Sequence, residues 1–197
     1  IAQHLVDLCA KAIVVACNSA SSVAFDALVE AMDVPVFNVI DPVVAEVARL
    51  GVESVGIWGT KATIKSGVFP AKLAAAAPKA SVSAWATPLL VPVIEENILQ
   101  GPILEAVIDG YAQPTEAAHV EALVLACTPS PIVAPQIGTR MGANVALLST
   151  PQIVAAHLAS PLAERHLLSE AARPEPHQFM VSDYTPALRE EMKFRSQ

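Results

Sequence analysis

At 197 residues the chain suits one large domain or two small ones, and either size buries enough apolar surface to fold without disulfide or metal staples. Hydrophobic residues make up 53% of it and charged residues 16%, yet no apolar run approaches the ~20 residues of a bilayer span, so the apolar excess reads as buried parallel strands and alanine-rich helices rather than a membrane protein. A formal net charge of −7 without any Lys/Arg cluster excludes a broad nucleic-acid surface, and three scattered cysteines, Cys9, Cys17 and Cys127, form neither a disulfide framework nor a metal cluster and point to the reducing cytoplasm.

The chain opens directly in an amphipathic pattern, without an initiator Met or a leader, and so reads as entering mid-fold. Ile1, Leu5, Leu8 and Cys9 share one helical stripe, which predicts a helix over 1–11 with Cys9 in the core. AIVVA, residues 12–16, is a β-branched strand ending in the polar CNSASS. Helical spacing returns over 19–32, and VPVFNVI, residues 34–40, is a second buried strand closed by Asp41-Pro42. Residues 43–50 are helical, SVGIWG (54–59) is a strand, and GTKATIKSG (59–67) is a loop leading to a helix over 69–76. SVSAWAT (81–87) reads as a strand, 93–108 and 115–120 as helices, and ALVLACT (122–128) as a strand ending in a Cys-Thr turn. NVALLS (144–149) is a strand and 153–158 a helix. A polar segment at 172–178, a strand QFMVS (178–182) and a helix after Pro186 close the chain. Repeated β-α-β steps imply an α/β fold with parallel sheets.

KAIVVACNSAS and EALVLACTPSP share one form: a charge, an apolar strand, Ala-Cys, then an amide or hydroxyl residue. The repetition suggests two open parallel-sheet sub-domains facing across a cleft, with the chain crossing between them twice. The expected division is 1–40 plus 145–197 for the first and 41–144 for the second. Ligands gather beyond the carboxyl ends of parallel strands, which is where Cys17 and Cys127 fall.

A cysteine at a strand end, beside backbone N–H groups and a helix N-terminus, has its thiolate stabilised. Racemisation needs a base on one face of a tetrahedral carbon and an acid on the other, and two such cysteines across a cleft supply that pair. Asn18, Ser19, Thr60, Thr63 and Thr128 offer neutral donors for a carboxylate, although hydroxyls at such junctions are also ordinary helix caps. GTKATIKSG lacks Walker spacing. Of Glu95 and Glu96, one is expected to face inward. His4, His119, His157, His166 and His177 lie in helical or surface contexts far from any nucleophile elbow.

With these residues in view, the chain resembles the glutamate racemases of the aspartate/glutamate racemase superfamily. The resemblance is carried in order by VVACNSAS, VPVFNVIDP, GTKATIKSG, PLLVPVIEE and LACTPSPIVAPQI. It implies cofactor-independent and metal-free interconversion of L- and D-glutamate by an isomerase, with Cys17 and Cys127 as the two bases. Asn18, Ser19, Thr60, Thr63 and Thr128 would hold the substrate, and Glu95 would assist. It further implies a cytoplasmic homodimer that supplies D-glutamate for peptidoglycan, with neither nucleic acid nor membrane as a partner. The chain departs from the pattern at Cys127-Thr128-Pro129-Ser130-Pro131, where the family has Cys-Thr-His-Tyr-Pro, and it contains neither the Asp-Ser-Gly nor the Pro-Tyr-Gly loop. Two alternatives stand beside this reading: a related aspartate or hydantoin racemase, and a racemase-like binding protein.

Overall fold

The computed structural model of the chain describes residues 1–169, 178–181 and 183. They fall into two compact units, Ile1–Leu167 and a second one from Leu168 onward. The first holds every helix and strand among the described residues. In the second, Gln178–Val181 forms no strand, contrary to the QFMVS expectation. The expected segment at 172–177, His177 and the helix after Pro186 lie outside the described residues.

The first unit has two parallel sheets in two sub-domains. A small one pairs β1 (Ile13–Val15) with β2 (Val36–Asn38). Before β1 lies helix α1 (Ala2–Asp7), and between the strands lie α2 (Asn18–Val23) and α3 (Phe25–Ala31), separated by Ala24 in what the sequence reads as one helix. α1 buries no residue. Cys9 stands beyond its end, exposed and with φ of 66°, so the expectation of a core cysteine fails: a short helix that buries none of its residues has no core to offer.

The chain then enters α4 (Ile40–Leu50), whose Ile40, Val43, Val44 and Val47 recur at helical spacing and are all buried. Its start is fixed by Asn38, whose Oδ1 accepts from the N–H groups of Ile40 and Asp41 and whose Nδ2 donates to Asp41. Asp41-Pro42 therefore opens a helix instead of closing a strand, because proline is tolerated in a first turn.

The larger sheet contains β3 (Ser54–Gly59), β4 (Ser81–Ala86), β5 (Ala122–Ala126) and β6 (Ala146–Ser149), in the order β4-β3-β5-β6 and all parallel. β6, expected with the first domain, is thus a strand of the larger sheet, held by its ladder to β5. GTKATIKSG, expected as a loop, carries α5 (Lys61–Ser66), and the left-handed Gly67 (φ 68°) turns it into α6 (Val68–Ala76). The helices expected at 93–108 and 115–120 are instead α7 (Leu90–Glu95) and α8 (Pro102–Ala117): the break falls at 96–101, and α8 runs through the expected gap at 109–114. A 3₁₀ turn (Ser130–Val133), α9 (Ala134–Met141) and α10 (Thr150–Glu164) complete the unit.

Period-two alternation along β3 and β5 splits the core between the two faces of the sheet. Val55, Ile57, Ala122, Val124 and Ala126 pack with α4 and with Phe69 and Leu73 of α6. Trp58, Leu123 and Leu125 pack with α7, α8 and α9. The indole of Trp58 is satisfied by donation to Thr115 Oγ1 at 2.9 Å. With both faces covered, the strands read as continuous apolar runs.

Candidate active site

The strand order places a switch point between β3 and β5, because the chain leaves β3 toward one edge of the sheet and leaves β5 toward the other. The crevice at such a point lies beyond the carboxyl ends of the strands. Gly59 pairs with Ala126 there, so the next residues, Thr60 and Cys127, flank the crevice. Two further hydroxyls bind these ends in place: Thr87 Oγ1 donates to the Gly59 carbonyl at 3.3 Å, and Thr150 Oγ1 donates to the Leu125 carbonyl at 2.9 Å. Sequence reasoning missed both, although each directly follows a strand.

From the small sheet, β1 delivers Cys17, the residue that caps α2. Thr128 Oγ1 donates to the Ala16 carbonyl at 3.1 Å, which ties the segment after β5 to the segment after β1. Cys17 is close enough for its charge to act on Cys127. Ser19, in the first turn of α2, reaches Thr60 Oγ1 at 2.7 Å and Thr63 Oγ1 at 3.2 Å, and those two hydroxyls lie 3.2 Å from each other. Thr60 also caps α5 by accepting from the Thr63 N–H at 3.2 Å. The cap and the site hydroxyl are therefore one residue, and the two readings of Thr60 do not compete.

Asn18 is 2% exposed, and both its Oδ1 and its Nδ2 are without a hydrogen-bond partner. Leaving such groups unpaired costs roughly 1–3 kcal/mol each. A buried amide beside Cys17 with both ends free is a ready donor and acceptor for a polar ligand.

The two thiols differ. Cys17 is exposed, whereas Cys127 is buried and its pKa is pushed up to about 11. Burial is the main cause, and the charges of Cys17 and Glu95 push the same way, against donation from the Thr128 N–H and the Ser130 hydroxyl. The expectation of a stabilised thiolate thus fails for Cys127, because desolvation outweighs the donors at the strand end. Glu95 and Glu96 are both exposed, so neither faces inward. Glu95 ends α7, and from there its charge reaches Cys127. His4, His119, His157 and His166 are exposed.

A model of the Asp/Glu/Hydantoin racemase family matches residues 1–158. The chain belongs to that family. It is 39% identical over 170 residues to glutamate racemase of Corynebacterium diphtheriae, covering 86% of this chain and 64% of that protein. A glutamate racemase of Thermus thermophilus is 38% identical over 173 residues, covering 88% of this chain and 63% of its own length. The chain therefore spans less than two thirds of both relatives. Among solved structures, glutamate racemase from Francisella tularensis in complex with D-glutamate superposes with a TM-score of 0.89 at 32% identity, over 98% of this chain and 73% of that one. Like those relatives, this member of the racemase family is an α/β protein with parallel sheets in two sub-domains.

Proposed function

We propose that this chain is the greater part of a cofactor-independent glutamate racemase. The observation that carries the reading is the meeting of two cysteine-bearing strand ends, tied by the Thr128–Ala16 hydrogen bond, with the buried and unpartnered amide of Asn18 next to Cys17. The names of the relatives, glutamate racemases at 38–39% identity, support glutamate as the substrate.

In this reading Cys17, exposed at the start of α2, removes the α-proton as the base. Cys127, held protonated by burial, delivers a proton to the opposite face of the planar carbanion. In the return direction the two exchange roles. Asn18, Ser19, Thr60, Thr63 and Thr128 orient the carboxylates, and Glu95 at the rim assists proton exchange at Cys127. Removal of one acid/base group slows such a step by ~10²- to 10⁴-fold. By the same reading the protein is a cytoplasmic homodimer that supplies D-glutamate for peptidoglycan.

A second reading is favoured by Pro129 in the position of the family's histidine: a racemase-like protein that binds the amino acid without exchanging its α-proton. Chiral chromatography of L-glutamate, L-aspartate and a hydantoin after incubation with the purified chain separates the readings. Conversion of glutamate alone supports the proposal; conversion of another substrate, or binding of glutamate without conversion, overturns it.

A further inference from the structure

Cys127, Thr128, Pro129 and Ser130 form a tight turn, closed by donation from the Ser130 N–H to the Cys127 carbonyl at 3.1 Å. Prolines bracket Ser130 on both sides. Pro129, with φ of −80° and ψ of −18°, precedes the 3₁₀ turn, and Pro131 stands in its first positions, where a missing N–H costs nothing. Ser130 is 1% exposed, and the turn folds it back on Cys127, so that its hydroxyl acts on the buried sulfur and favours its charged form.

A negative sulfur at Cys127 meets an unfavourable setting. Cys17 comes from the end of β1, Glu95 from the end of α7, and burial adds to both. Against these stand two donors, the Thr128 backbone N–H and the Ser130 side chain. The backbone donor is indifferent to the side chain at 128, which leaves Ser130 as the side-chain donor to this sulfur. We propose that Ser130 is the positioning residue of Cys127: its hydroxyl holds the sulfur over the crevice and donates to it when the proton has left, at the place where the family's pattern has an aromatic pair in His-Tyr. The proposal rests on Cys127 being one of the two bases. A neutral hydroxyl carries no charge, so it supports the thiolate less than an imidazolium would.

The test is the pH dependence of alkylation by iodoacetamide at each cysteine, read by mass spectrometry in the unaltered chain, Ser130→Ala and Ser130→Thr. The midpoint for Cys127 should rise in Ser130→Ala, with alkylation about tenfold slower at fixed pH below the midpoint and unchanged at the high-pH plateau. Cys17 should not change, and Ser130→Thr should recover most of the loss. Ser130→Gly repeats the comparison if Ser130→Ala does not fold. An unchanged Cys127 midpoint in a folded variant overturns the proposal, as does a plateau that falls with the midpoint fixed. Exchange of the glutamate α-proton with solvent, measured beside it, keeps the two readings apart. A midpoint shift without exchange in any form sinks the racemase reading and leaves the Ser130–Cys127 coupling standing; exchange in the unaltered chain with no midpoint shift does the reverse.

Discussion

The strand that ends at Cys17 and the strand that ends at Cys127 are written in nearly the same residues, and the fold puts them in opposite surroundings. β1 has three residues in a two-stranded sheet, and its Val14 is 42% exposed. β5 has five residues, all buried, at the centre of a four-stranded sheet. One apolar motif thus delivers one thiol to solvent and the other to a desolvated pocket. In the proposed mechanism an acid and a base are made from one residue type, chiefly by burial.

Core substitutions sharpen this contrast most strongly. Leu125→Ala in β5 should cost about 2–5 kcal/mol by urea unfolding, because the site is closed on both faces and leaves a cavity, while Val14→Ala in β1 should cost less than about 1 kcal/mol. Equal costs would mean that the small sheet is as well packed as the large one.

Asn18→Ala is expected to separate binding from stability. Removing an amide that has no partner should leave the unfolding free energy within about 1 kcal/mol, or raise it, while glutamate affinity by calorimetry falls at least about tenfold. A loss of stability with unchanged affinity would make Asn18 a structural residue.

The buried thiol also predicts a pH effect on folding. Since the folded state raises the pKa of Cys127, it holds that proton more tightly than the unfolded chain. Its contribution to stability is present below about pH 9 and is lost as pH rises toward about 11. The difference in unfolding midpoint between the unaltered chain and Cys127→Ala should shrink across that window, and a constant difference would argue that the thiol is solvated.

The smallest effect should come from the surface of the larger sub-domain. Arg140 of α9 pairs with Asp109 and Glu116 of α8, but all three are substantially exposed, so Arg140→Ala should move the urea midpoint least of these variants. The shift should shrink further in high salt. A loss as large as that of Leu125→Ala would mean that the ion pairs hold α8 and α9 together.

Strand positions in the larger sheet were legible because buried parallel strands leave uninterrupted apolar runs, as SVGIWG and ALVLA do. The breaks between helices were not: Ala24 divides α2 from α3 without a glycine or proline to announce it, and residues 96–101 divide α7 from α8. α5 was hidden because its six residues are too few to show a period, and the Thr60 cap that starts it reads equally well as a ligand-binding hydroxyl. At the site, residue type and position at strand ends marked Cys17, Asn18, Thr60 and Cys127. The protonation of Cys127 lay beyond the sequence, since it depends on burial and on Cys17 and Glu95 arriving from elsewhere in the chain. Ser130 carried one available signal, its place three residues after Cys127, where a turn folds a side chain back on its origin.

The most direct test of the two-cysteine account is incubation of L-glutamate with the chain in deuterium oxide, following deuterium at Cα of the D-enantiomer by NMR and chiral separation, with Cys17→Ser and Cys127→Ser in parallel. The account predicts deuterated D-glutamate from the unaltered chain and at least ~10²-fold less from either variant. Undiminished formation of deuterated D-glutamate by either variant, or none from the folded unaltered chain, would contradict it.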